Sequence, residues 1–543
     1  MIFLVLLGLA SAARASPPDL PPAACGDCSI VLISIDTLRP DHLGAYHYAR
    51  NTSPNIDRLA ARGTVFDHFL VQDYLTPMSM ASLFTSQLPS VNGYDSFTSV
   101  LDSSTLMLPE VLRSHGYETA AFTSSPELFG ETSLPGVSHY FYPVHTFSRG
   151  FGVFAYRKIE EKSIYAVPDD RVFAWLKKNK DRKFFLWIEL GSVHWPYAKQ
   201  APASVQNRFM KEPYAGPLSD LDWDTNLGRI REDCYYKKMG DPSSCIRLTD
   251  ADRDYILARY DAGIYYSDLF VGRLTRALRA AGLNKRTIVL LHSIHAEDLG
   301  EHGYYGHYDL YNTELHGALI VVDPRIPAPP PRAVPLVSGL DLAPTILELA
   351  GVPLFRGAMG RSFAGALAGS SATIDDAVFS ERIPLFERGM YDVPSGVPDF
   401  KAEVVDDPAE PVAPDYRLIN EGRRVMWGFK NSVNRRIGDL ADLRLGDVCL
   451  QDLDWKLVHR SARGVLSRIS WWGYATGKYP ELPEYELFDL SRDPLERNNI
   501  AERTPAAAAP LFPRLAQFEK VLERKRLERE PSRGAPRQII VYP

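Results

Sequence analysis

Four short apolar runs constrain this chain more than anything else in it. "SIVLISID" (29–36), "KFFLWIEL" (183–190), "RTIVLLHS" (286–293) and "GALIVVDP" (317–324) are rich in β-branched and aromatic residues and lack the polar alternation of a strand with one wet face. A strand covered on both faces reads this way. Helical patterns fall between them. "TSPNIDRLAARG" (52–63) offers Thr52 or Ser53 as N-cap, Pro54 near the first turn and Gly63 as C-cap. "STLMLPEVLRSHG" precedes a further strand, "YETAAFTSS" (117–125), and "DDRVFAWLKKNK" precedes the run at 183. A long amphipathic segment from Asp250 to Ala281 precedes the run at 286, and "DLAPTILELAG" ends at Gly351. This β/α alternation predicts an α/β fold with a large, mostly parallel sheet between two layers of helices.

After about residue 370 the pattern changes to short strand-like pieces, "DWKLVHR" (454–460) and "YELFDL" (485–490), between polar loops. They predict a small antiparallel subdomain. The expected division is a signal peptide over 1–15, a linker over 16–28 and an α/β domain over 29–370. The subdomain follows over 371–500, then a charged terminal helix and tail over 501–543. The Pro-rich "PRIPAPPPRAVP" (324–335) reads as a stiff loop within the first domain.

The opening "MIFLVLLGLASAARAS" has the length of a secretory signal and ends on the A-x-A-like Ala13-Arg14-Ala15, without the usual basic start. It is too short to span a bilayer. Secretion or periplasmic export is therefore expected, and an oxidising compartment with it. There Cys25 and Cys28 in "CGDC" form a small linker disulfide or stay free thiols, Cys234 and Cys245 can tie down a polar loop, and Cys449 is left over and buried. No cysteine spacing suggests zinc. A net charge of −6 leaves no basic footprint for nucleic acid or an anionic membrane.

In open α/β sheets ligands bind beyond the carboxyl ends of the strands. Asp36 ends the first run, His194 follows the second, and His295 follows the third. Three successive strand ends carrying Asp, His and His are more informative than any one alone.

With these positions in place, the chain resembles the sulfatase branch of the alkaline phosphatase superfamily. The resemblance runs from about Ser29 to Asn499 and rests on "VLISIDTLRPDHLGAY", "NTSPNIDRLAARGTVFDH", "TPMSMASLFTSQLPS", "HWPY", "EDLGEHG", "DLAPTILELAGV" and "ELFDLSRDPLERNN", in the family's order. It implies the alkaline phosphatase-like fold and hydrolysis of a sulfate, phosphate or phosphonate ester. The implied ligand is a sulfated or phosphorylated small molecule or glycan. It also implies a nucleophile at a helix N-terminus beside a divalent cation, Ca²⁺ or Mg²⁺, held by Asp, Asp, Asp and Asn or His. Such a cation and helix end would stabilise charge on the outer oxygens of a transferring group.

Several positions depart from that pattern. The family's Cys-x-Pro-Ser-Arg motif aligns on Thr76, which cannot become formylglycine, although some relatives in the superfamily use Thr as nucleophile. Pro77 is displaced, Ser79 keeps its place, and Met80 replaces the Arg. Asp36 matches the first metal ligand and His295 the fourth, while Thr37 and Ile294 stand where a second and third Asp are expected. His194 and His307 match active-site positions, and Asn92 replaces a His. Two readings follow: an ester hydrolase or transferase using Thr76, and a catalytically inactive relative that binds an anionic ligand or a protein partner.

Overall fold

The computed structural model describes residues 25–94, 99, 101–124, 146–156, 167–168, 170–199, 201–219, 230–231, 234–236, 242–371, 374–382, 446–460 and 483–529. The expected signal peptide, most of its linker, residues 237–241 of the Cys234–Cys245 loop, residues 383–445 and 461–482 of the expected subdomain, and the last residues of the tail lie outside them.

Eight strands form the main sheet: β1 (Ser29–Ile35), β2 (Thr64–Leu70), β3 (Glu118–Thr123), β4 (Val153–Tyr156), β5 (Phe184–Leu190), β6 (Thr287–Ser293), β7 (His316–Val322) and β8 (Arg332–Ser338). Their order is β8-β2-β7-β6-β1-β5-β3-β4. All neighbours pair in parallel except β7, which is antiparallel to both β6 and β2. β1, β5 and β6 are buried along their whole length.

Their unbroken apolar runs follow from the layering. Successive side chains of one strand point to opposite faces, and each face has its own core. Ile30, Leu32, Phe185, Trp187, Ile288 and Leu290 pack with α2 (Thr76–Thr85), α3 (Leu108–Ser114) and α6 (Leu342–Ala350). Val31, Ile33, Leu186, Ile188, Val289 and Leu291 pack with α1 (Pro54–Ala60), α4 (Arg171–Lys178) and α5 (Asp250–Ala280). Helix α5 starts on a reciprocal cap in which Thr249 Oγ1 accepts from Asp252 N and the Asp252 carboxylate accepts from Thr249 N.

Two local expectations need correction. Ser53 stands at the N-cap of α1 as expected, although its hydroxyl donates to Asp57 and accepts from Gly44 N rather than from the helix's own N–H groups, and the C-cap is Ala61 rather than Gly63. Gly63 instead enters β2 where a side chain would collide with the Val321 carbonyl. The Pro-rich stretch is not wholly a loop, because Arg332–Ser338 forms β8. That strand lies at the sheet edge and shifts register between Ala333 and Leu336. Pro335 is tolerated there because an edge strand with a bulge need not offer every N–H.

A second, antiparallel sheet of β9 (Val378–Arg382), β10 (Asp447–Gln451), β11 (Trp455–His459) and β12 (Tyr485–Asp489) shares no strand pairing with the first but packs into its core through Cys449, Val458 and Phe488. Helix α7 (Leu511–Arg529) packs on it through Leu511, Leu515 and Leu522, with Phe518 stacked on Phe379 at 3.7 Å between ring centroids. Cys25–Cys28 and Cys234–Cys245 are disulfides, and Cys449 is free and buried. Among the described residues no helix is long and apolar enough to cross a membrane.

One contact of α7 depends on pH. His459 Nδ1 meets Glu519 Oε1, Tyr485 stacks on the imidazole, and Glu484 and Asp447 add negative charge nearby. The bond to Glu519 raises His459 above its ordinary value, against the opposing effect of partial burial. A raised folded-state value means the contact is fully stabilising below the unfolded value of about 6.5 and is lost as pH rises through the folded one. Amide exchange in α7, corrected for intrinsic rates, is expected to speed up above neutral pH. His459→Gln should remove that extra dependence; an unchanged profile in the variant would assign it to another group.

Candidate functional site

The topology brings the chemically useful side chains to one edge. β1, β5 and β6 are adjacent and parallel, so their carboxyl ends open at the same place, and β2 delivers the N-terminus of α2 there. Because β7 runs the other way, the segment leading into it arrives at that same edge and carries His307.

Asp36 follows β1 directly, with its N–H bonded to the Leu190 carbonyl at 3.0 Å. Thr76 is the first residue of α2, and its hydroxyl lies 3.0 and 3.2 Å from the two Asp36 carboxylate oxygens. His295 completes the group. Its Nε2 is 3.1 Å from Thr76 Oγ1 and 3.2 Å from Asp36 Oδ1. Its Nδ1 is 2.9 Å from the Ala296 carbonyl, which can only accept, so Nδ1 carries a proton. Asp36 and His295 are fully buried, and Thr76 is 4% exposed. Burial alone would raise the Asp36 carboxyl, but the His295 bond and the nearby His194 and His307 bring it down to about 2.

Ser79, one turn along α2, donates to the Ile294 carbonyl at 2.6 Å and ties the helix to the loop after β6. Ile294 donates its N–H to the Ile35 carbonyl, and its side chain belongs to the same apolar cluster as Met78, Met80 and Leu315. Met80 is fully buried. Asn92 is used up within its own turn, bonding Thr85 Oγ1, the Gln87 carbonyl and Tyr94 N.

His194 and His307 lie above this knot and are half-buried. Their Nε2 atoms are 3.4 Å apart, and the His307 ring stands 4.5 Å from that of His295. His194 Nδ1 is bonded to the Trp195 carbonyl at 2.7 Å. Burial lowers both imidazoles. Asp36 pulls His194 partly back, while the charges of His295 and His194 push His307 down further. All six expected residues, Asp36, Thr76, Ser79, His194, His295 and His307, are thus brought together at one edge.

Two buried carboxyls beside the site went unremarked or unplaced in the sequence. Asp73 accepts from Leu75 N at 2.8 Å, its other oxygen is buried with no partner, and burial pushes the group well above the usual carboxylate range. Its signal was an Asp three residues before a helix start, the pattern of a side chain closing a turn on the backbone two residues on. Glu297 accepts from the Tyr197 hydroxyl at 2.8 Å and is likewise pushed up by burial, with Asp36 adding to the effect. The neighbouring Asp298 bonds Gly300 N, His302 and Thr313 within its own loop.

The donor set can be tested against a divalent cation. Calcium and magnesium take six or more oxygen ligands or waters, several of them charged. The aligned positions hold one carboxylate already bonded to Thr76, one imidazole, a threonine and an isoleucine whose side chain belongs to the core. Among the described residues no group of three or more His, Cys, Asp or Glu is placed to hold a metal ion. The residues present do not fit the cation.

Comparison with known proteins agrees with the architecture. The sulfatase family model matches residues 29–352. The chain is 27% identical to rat arylsulfatase K, over 55% of this chain and 56% of that protein. It is 25% identical to human iduronate 2-sulfatase, over 59% of this chain and 64% of that one. It therefore spans less than two thirds of the length of these relatives. Among solved structures, the phosphonate monoester hydrolase of Agrobacterium radiobacter superposes with a TM-score of 0.61 at 19% identity, over 92% of this chain and 96% of that one. That likeness is one of fold, and with the match over residues 29–352 the chain belongs to the sulfatase family.

Proposed function

We propose that this chain is a sulfatase-family protein that no longer performs metal-assisted ester hydrolysis and keeps a pocket for an anionic group, the sulfate or phosphate of an ester, at His194 and His307. The observation that carries the reading is the closed Asp36–Thr76–His295 network, with the Ile294 side chain in the adjoining apolar core. A hydroxyl becomes a nucleophile when a cation or a base takes its proton as it attacks. The Thr76 hydroxyl donates to Asp36, whose carboxyl is held down at about 2 and is therefore a weak base, and the hydroxyl is almost wholly covered. Met80 supplies no charge where the family carries Arg. His194 and His307 are the half-buried groups of the site and can offer ring N–H donors to an anion. The two disulfides support a location outside the reducing cytosol, as does the signal-like N-terminus.

A second reading is favoured by one distance. His295 Nε2 at 3.1 Å from Thr76 Oγ1 is within the reach of a base and its nucleophile. It makes the chain a Thr76-dependent hydrolase or transferase that works without a cation.

Turnover and binding separate the two. We expect no release of product from 4-nitrophenyl sulfate, an aryl phosphodiester or an aryl phosphonate above the rate of the Thr76→Val variant. Inorganic sulfate should bind by calorimetry, and His194→Ala or His307→Ala should weaken it about tenfold or more, the worth of a hydrogen bond to a charged group. Turnover that disappears in Thr76→Val would establish the second reading and discard the first.

A further inference from the structure

The segment that carries His307 is gripped from one side by the small sheet, through ions that are wholly buried. Arg382, the last residue of β9, donates from Nη1 to the Tyr308 carbonyl at 3.0 Å. Arg460, one residue past β11, pairs with the Asp309 carboxylate. The Tyr311 hydroxyl donates to Glu486 Oε1 on β12 at 3.2 Å. Lys456, on β11, donates to Asn312 Oδ1 at 2.9 Å and pairs with Glu496 at 2.8 Å, while the other Glu496 oxygen accepts from Asn312 N. Asp447, on β10, joins the two arginines at 3.0 and 3.2 Å. None of the three cationic side chains is more than 2% exposed.

Withdrawing that many charges from water costs several kcal/mol per ion before their mutual attraction is counted, and an apolar interface would hold two sheets together as well. What an ionic contact adds is direction, since each bond fixes one atom of the partner. Here the bonds fall on residues 308, 309, 311 and 312, immediately after His307. Through its backbone they set where the imidazole stands relative to His194 and His295. Apolar contact also reaches the segment, Tyr311 meeting Phe488 of β12 edge-on at 6.0 Å between ring centroids, but such a contact fixes no single atom as these bonds do.

We infer that the small C-terminal sheet positions His307, with Arg382, Arg460 and Lys456 as positioning residues, so that the pocket is assembled by both sheets. Only the ligand arm of the test rests on the anion-binding reading above. The test uses the full chain with ¹³C-labelled histidine, the His307 ring signal being assigned with His307→Gln, and inorganic sulfate as probe. Arg460→Met should displace the His307 signal, leave that of His42 (bonded to Asp261 on α5) in place, and weaken sulfate binding about tenfold. Arg460→Lys should restore most of both. A folded Arg460→Met protein with the His307 signal and sulfate affinity unchanged would overturn the inference, whatever its melting temperature. If the single variant does not fold, Lys456→Met/Glu496→Gln carries the same expectations and the same refutation, since it removes one grip without stranding a charge. If the unmodified protein binds no sulfate, the anion reading fails and the ring signal alone decides the positioning claim.

Discussion

Asp36→Ala is expected to lower the stability of this protein by about 3–5 kcal/mol, because it takes the acceptor from several buried donors at about 1–3 kcal/mol each. Asp36 is where the end of β1, the start of α2 and the loop after β6 meet. Its carboxylate accepts from Thr37 N and the Thr76 hydroxyl and faces His295 Nε2. Without it, Thr76 and His295 keep one bond to each other in a buried site, and the imidazole loses its carboxylate partner. If the whole chain melts as one unit, the loss corresponds to a drop on the order of 3–4 °C at ~2.1 cal/mol/K per residue. Thr76→Val, which removes one hydroxyl and leaves the Asp36–His295 contact, should cost only about 1 kcal/mol. Calorimetry of the two variants side by side checks the ranking; equal, small effects would show that the knot does not hold the edge together.

Ile294→Asp should be the second large effect, and it bears on whether the family's cation site can be built here by one residue. The substitution removes an apolar side chain worth about 1.5–3 kcal/mol of burial. It puts a carboxylate into the apolar cluster of Met78, Met80 and Leu315. A loss of roughly 4 kcal/mol or more is expected without divalent cations. Adding millimolar calcium should recover none of it, because Thr37 still stands at the second ligand position and Asp36 remains bonded to Thr76. Thermal melts with and without calcium read this directly. A calcium-dependent rise in stability, which binding to the folded state alone would produce, would mean that one residue separates this site from a working one.

The sequence and the structure agree best where one physical cause acts alone. β1, β5 and β6 were legible because burial on both faces demands an unbroken apolar run. β2 was not, since Asp67 and His68 interrupt it; both are half-buried in the fold, and Asp67 is paired with Arg332. The reversed direction of β7 leaves no mark in "GALIVVDP", because an antiparallel strand inside a covered sheet is as apolar as a parallel one. The site was legible through strand ends, which placed Asp36, His194 and His295 before any contact was known. The bond from Ser79 to the Ile294 carbonyl was not, because a backbone acceptor has no residue type to read. The grip on His307 was hidden for another reason: Arg382, Arg460 and Lys456 look like surface charges in sequence, and only the packing of the second sheet buries them.

The loss of the cation site is the claim on which the rest depends, and metal analysis tests it most directly. The protein is equilibrated with millimolar calcium and magnesium, freed of unbound ions by gel filtration, and analysed by mass spectrometry of its metals alongside a melt in EDTA. The account predicts far less than one equivalent of either metal and the same melting temperature with and without chelator. About one equivalent of calcium or magnesium, with a melting temperature that falls in EDTA, would contradict it.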